Sequence, residues 1–123
     1  MSEVFDPAIE QIVEEIFAIN RAWKAARKLF NPSANLALSF RDMKTQMQVR
    51  LLRNFAPDRV YLKIDDSADD DDPELQEAAE NQEPLYGLIL EPSIGKYWNA
   101  AHLPVRRAQA FLTAEELQKF TQV

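Results

Sequence analysis

Apolar residues recur along the N-terminal part of the chain at alternating steps of four and three. Phe5, Ile9, Ile12, Ile16, Ile19, Trp23, Ala26 and Phe30 all fall on that rhythm, which draws one apolar stripe along an α-helix. The ends of the helix are marked chemically. Asp6 precedes Pro7, an N-cap acceptor followed by the residue whose fixed φ suits the first helical position. Asn31-Pro32 forms the stop. The predicted helix spans roughly 25 residues, or ~37 Å at 1.5 Å per residue. Glu10, Glu14 and Glu15 lie in its first half and Arg21, Lys24, Arg27 and Lys28 in its second, an order that suits the helix macrodipole.

Beyond Pro32 the period shortens. Leu36, Leu38 and Phe40 alternate with Ala37, Ser39 and Arg41, and Met47, Val49 and Leu51 alternate with Gln48, Arg50 and Leu52. Alternation predicts two strands over 35–42 and 46–54, joined by a turn at Met43, Lys44 and Thr45. The rival reading is one helix, since Phe40, Met43, Met47, Leu51 and Phe55 also share a helical face. Pro57-Asp58 makes a turn, and Val60, Leu62 and Ile64 alternate with Tyr61 and Lys63 in a third predicted strand. The run from Leu85 to Leu90, bounded by Pro84 and Pro92, reads as a fourth. The stretch from Ile94 to Ala101 is expected to be irregular or briefly helical, and 103–111 forms a last strand. A short helix closes the sequence. Thr113 is its N-cap, Glu116 completes a capping box, and Leu112 and Leu117 supply the hydrophobic staple.

These elements predict an α+β domain: a long N-terminal helix packed on a mostly antiparallel sheet of about four to five strands, with a short C-terminal helix. The 123 residues fit one domain, 1–123, with a real core. This layout resembles that of type III secretion chaperones, which are small acidic dimers. The likeness is one of architecture and carries no residue with it.

Charge changes the picture at one place. Ten of the 20 carboxylates lie in residues 65–83, with no basic residue among them. The rest of the chain holds 14 basic against 10 acidic residues, a net of +4 where the whole carries −6. The segment reads as a solvated, mobile acidic insertion. Two sharper readings are a polyanion that meets a basic partner, or one that folds over this chain's own basic face. Calcium binding fits poorly. An EF-hand alternates its ligands around a glycine, and Asp65, Asp66 and Asp69 to Asp72 are bunched without one.

Composition narrows the chemistry. A chain with no cysteine and one histidine, His102, has no usual structural zinc or iron–sulfur site. Gly87 and Gly95, the two glycines present, write neither a P-loop nor a dinucleotide fingerprint. No serine sits in a G-x-S-x-G turn that would partner His102. We therefore expect no enzyme, no catalytic residue, no cofactor and no metal site. A cytoplasmic setting is expected: no disulfide framework is possible, the N-terminal segment is acidic where a signal peptide is basic, and no apolar run approaches a membrane span.

What remains is association. The expected partner is another protein, met through Arg50, Arg53, Tyr97 and Trp98, because arginine and aromatic side chains dominate interface energetics. The long helix, widened by Val13, Phe17 and Leu29, is expected to overhang the sheet and pair in a homodimer through Ile12, Ile16, Ile19 and Trp23. The alternative is a regulatory nucleic-acid-binding protein whose basic face is masked by the acidic segment 65–83. Arg41, Lys44, Arg50, Arg53, Arg59 and Lys63 would lie on or beside its strands, with tyrosines and Trp98 for stacking. A small-ligand pocket around Tyr97, Trp98 and His102 is the third reading.

Overall fold

The computed structural model describes residues 7–31, 34–65 and 84–121. Helix α1 spans Pro7–Leu29 and helix α2 spans Asn35–Phe55. Three strands follow, β1 Val60–Asp65, β2 Leu85–Ile94 and β3 Tyr97–Pro104. The short helices α3, Val105–Phe111, and α4, Ala114–Phe120, close the chain. The strands form one antiparallel sheet in the order β1-β2-β3. The architecture is α+β: two N-terminal helices packed with a three-stranded antiparallel sheet, then short C-terminal helices. No helix among the described residues is long and apolar enough to cross a membrane. The expected cap at Asp6, and the acidic insertion 65–83 apart from Asp65, lie outside the described residues.

The first helix forms where its stripe predicts it. Ile9, Ile12, Val13, Ile16, Trp23 and Ala26 are all buried. The strands expected over 35–42 and 46–54 are instead the single helix α2, so the sheet has three strands among the described residues rather than four to five. Two causes explain the difference. The segment is rich in Leu, Ala, Arg, Gln, Met and Lys and has no Gly or Pro, a composition that favours helix. Moreover, its inward face carries polar side chains: Lys44, Thr45 and Gln48 are buried beside Ala37, Val49, Leu51 and Leu52. Counting only apolar positions hides that face and leaves the alternation. The layout likened to type III secretion chaperones depended on those strands and does not describe this chain.

Two further expectations change at the C-terminal side. Ile94 to Ala101 belongs to a β-hairpin rather than an irregular stretch: Ile94 pairs with Tyr97 across the two-residue turn Gly95-Lys96. Gly95 makes that turn with φ of 58°, a conformation glycine reaches without a Cβ penalty. The strand expected over 103–111 ends at Pro104, and helix α3 begins at Val105. The capping box of α4 forms as expected. Thr113 Oγ1 accepts from the Glu116 amide at 3.0 Å, and Glu116 Oε1 accepts from the Thr113 amide at 3.0 Å.

One core joins both helices to one face of the sheet. Ile9, Ile12, Val13 and Ile16 meet Leu51 and Leu52, Val60 and Leu62, Leu88 and Leu90, and Leu103. Burying each such side chain contributes roughly 1.5–3 kcal/mol. A smaller cluster of Trp23, Ala26 and Ala37, flanked by Phe40, fills the far end of the helical hairpin. There Trp23 lies between two cations, with the Arg27 guanidinium and the Lys44 Nζ each 4.9 Å from its ring centroid. Both edges of the sheet are occupied. On β3, Gln48 Nε2 donates to the carbonyls of Ala100 and His102, each at 3.0 Å. On β1, Thr121 forms a parallel bridge with Leu62. Each contact takes up part of the pairing capacity of its edge.

A candidate partner-binding groove beside helix α2

Polar residues of helix α2 reach Trp23, the β3 edge and the C-terminal helices. Those facing the sheet close the β3 edge. Those on the flank toward the C-terminal helices hold α3 and α4 in place through two arginine contacts. Arg107 of α3 donates from Nε to Thr45 Oγ1 at 3.0 Å and from its NH2 nitrogen to Asp42 Oδ1 at 2.6 Å. Arg53 of α2 forks onto Glu116 of α4, Nε to Oε2 at 2.8 Å and the NH2 nitrogen to Oε1 at 3.1 Å. The same Arg53 nitrogen also reaches the Phe111 carbonyl at 3.2 Å. Paired N–H donors that match a carboxylate are the strongest and most directional of side-chain contacts.

Glu116 reports the strength of that fork in its protonation. Hydrogen bonding from Arg53, with the Thr113 amide behind it, holds its carboxyl down at about 2. The same contact raises Arg53 further above its ordinary value. Elsewhere, a hydrogen bond to Glu91 pushes the Tyr61 hydroxyl up.

Between the two contacts runs a groove of about 400 Å³ lined by Gln46, Val49, Arg50, Arg53, Asn54 and Phe111. Val49 and Phe111 make it apolar below, and amide and guanidinium groups surround that surface. The Arg107 guanidinium sits 5.4 Å from the Phe111 ring centroid and braces the ring from behind. Arg50 is exposed, and no side chain among the described residues pairs with its guanidinium. Asn54 Nδ2 donates to the Arg50 carbonyl at 2.9 Å, fixing the last turn of the helix beside it. The groove therefore has one arginine already holding a carboxylate and a second, one helical turn away, exposed to solvent.

The four side chains expected to meet a partner separate into three places. Arg50 and Arg53 line this one groove. Tyr97 turns inward and stacks on Phe17 of α1, ring centroids 4.9 Å apart at 13°, with Lys96 Nζ 5.4 Å over its other side. Trp98, its neighbour, is 60% exposed on β3 and shares neither the groove nor that stack. Ile12, Ile16 and Trp23, expected at a dimer contact, are buried within the chain's own core, and Ile19 is half-buried. The basic residues expected on strands do not share a sheet face. Arg41, Lys44, Arg50 and Arg53 are on α2, Lys44 is buried against Trp23, and Lys63 alone of the strand set is exposed on β1. His102 uses its carbonyl to accept from Gln48, within the strand edge.

Sequence reasoning missed Phe111, Val49, Gln46 and Asn54 as groove residues. Leu29, Phe30, Leu36 and Met43 are exposed large apolar residues of the two helices and the turn between them. Among the described residues no cluster of three or more His, Asp or Glu side chains is placed to hold a metal ion. No protein-family model, curated protein or solved structure matches the chain.

Proposed function

We propose that this chain is a non-enzymatic protein-interaction module, an adaptor or assembly factor that works as a homodimer and holds an acidic segment of another protein in the α2–α3 groove. The observation that carries the reading is the exposed guanidinium of Arg50, which no side chain among the described residues pairs, beside the apolar Val49 and Phe111 of the groove. Beside it, Arg53 displays on Glu116 the two-pronged contact that the exposed Arg50 would make with an incoming carboxylate. An apolar floor under paired arginines suits a peptide whose Asp or Glu residues flank an apolar anchor. A cytoplasmic setting accords with a chain that contains no cysteine.

The test is capture of the tagged protein and of its Arg50→Glu variant from the parent cells, with and without nuclease. The reading expects a protein that stays bound after nuclease treatment, is lost from the variant, and contacts the groove through an acidic segment. Recovery of nucleic acid, or partners that leave on nuclease treatment, would overturn it in favour of a nucleic-acid binder.

A further inference from the structure

Most of the charged side chains of α1 have no ion pair among the described residues. Glu14 and Glu15 are exposed in the first half of the helix, and Arg21 and Lys28 in the second. The helix macrodipole acts within the terminal turns. It accounts for Glu10 in the first turn and for Arg27 and Lys28 in the last, but not for Glu14, Glu15, Arg21 or Lys24. Ion pairs along the helix do not account for them either. At the four-residue spacing that brings side chains together, Glu10 meets Glu14 and Lys24 meets Lys28, and like charges at that spacing are unfavourable. Glu10, Glu14, Glu15, Arg21, Lys24 and Lys28 have no ion-pair partner among the described residues.

We infer that the outward face of α1 is the homodimer contact, with the helices of two copies crossing antiparallel about a two-fold axis at Ala18. This rests on the homodimer part of the function proposed above and names its surface. An antiparallel pair centred there sets Glu15 of each copy level with Arg21 of the other, and Gln11 level with Ala25. Segregated charge then becomes complementary charge, satisfied twice by one symmetry operation. Size suits the arrangement as well. Exposed or half-exposed Ala18, Ala22 and Ala25 follow one line along the helix to Leu29, itself 75% exposed. Small residues on that line let two helix axes approach to about 8 Å, the near end of the usual range. A shallow hollow of about 440 Å³ already lies along Glu10, Gln11, Glu14, Glu15, Ala18 and Arg21. The second copy covers Leu29 near its own first turn. The expected stripe of Ile12, Ile16 and Trp23 lies on the opposite side of the helix, within the core.

Charge reversal of the full chain, read by sedimentation equilibrium, tests this. In Glu15→Arg, two cations face each other at both ends of the dyad, and in Arg21→Glu, two anions do. Each variant is expected to dimerise at least tenfold more weakly than wild type while keeping the folded chain's circular dichroism spectrum, because both positions are exposed. An equimolar mixture of the two is expected to recover a one-to-one mixed dimer, since each then supplies what the other lacks. The chain has no cysteine, so Ala18→Cys gives a second readout. It should oxidise to a disulfide-linked dimer, which requires Cα atoms within about 7 Å, and Gln11→Cys should not. A wild-type dimer that survives in both reversed variants, or an Ala18→Cys chain that fails to cross-link, overturns this surface and leaves the homodimer reading standing. A wild-type chain that is monomeric at every concentration overturns both.

Discussion

The side-chain amide of Gln48 donates to the main-chain carbonyl of His102 at 3.0 Å, and from the same nitrogen to that of Ala100. One fully buried amide nitrogen thus joins the second helix to the edge of the sheet by donating to two of its carbonyls. It also explains why a glutamine lies among Val49, Leu51 and Leu52 on the inward face of α2.

Removing that amide takes the Gln48 donor away from both carbonyls. Gln48→Leu is expected to lower stability by roughly 1–3 kcal/mol, and Gln48→Glu by more, because a carboxylate offers acceptors to acceptors. Urea unfolding measures the loss, and amide exchange should show it concentrated in β3. A Gln48→Leu protein as stable as wild type would mean that α2 is held by apolar packing alone.

Protonation of Glu116 gives a pH signature. Its carboxyl is held at about 2 in the folded chain, below the ordinary carboxylate value near 4.3. A depressed carboxylate stabilises the fold above its unfolded value, and that contribution fades as the pH falls toward the folded one. Docking of α4 is therefore expected to weaken between about pH 4.5 and 2. Helix α4 amide shifts followed by NMR would report it. In Glu116→Gln the same shifts should no longer move in that window.

Arg107 braces the groove from behind. Arg107→Lys retains the charge but not a planar fork that reaches Thr45 and Asp42 together. It is expected to cost on the order of 1 kcal/mol and to loosen the Phe111 ring, visible as averaging of its aromatic resonances. Unchanged ring signals would detach Arg107 from the groove.

Ile16 and Ile19 distinguish the inner face of α1 from its flank. Ile16 is fully buried and Ile19 half-buried. Ile16→Ala should cost about 2–5 kcal/mol, the range for truncating a core side chain, and Ile19→Ala distinctly less. Equal losses in thermal or urea unfolding would contradict the orientation of the helix.

Elements whose signals are local were legible before the structure: the four-three stripe of α1, the Thr113–Glu116 capping box, and the alternation of β1. Helix α2 was legible as the rival to two strands and not as the preferred reading, because Lys44, Thr45 and Gln48 face inward for reasons that lie elsewhere in the chain. Lys44 meets Trp23, Thr45 accepts from Arg107, and Gln48 closes β3. Each makes a buried position look like a solvent position to a binary pattern. The same limit governs the site. Arg50 and Arg53 were identifiable by residue type, but Phe111 joins them from 58 positions beyond Arg53, and no local pattern anticipates that meeting. Tyr97 and Trp98 look alike in sequence, and the hairpin sends one onto Phe17 and the other to solvent.

The most direct test of the central claim places a photo-reactive residue at position 46, at the rim of the groove, and cross-links the tagged chain in its own cells. The account predicts one dominant adduct to another protein, through a segment rich in Asp and Glu, that disappears when Arg50→Glu is added. Cross-links to nucleic acid, or a protein adduct indifferent to Arg50, would contradict it.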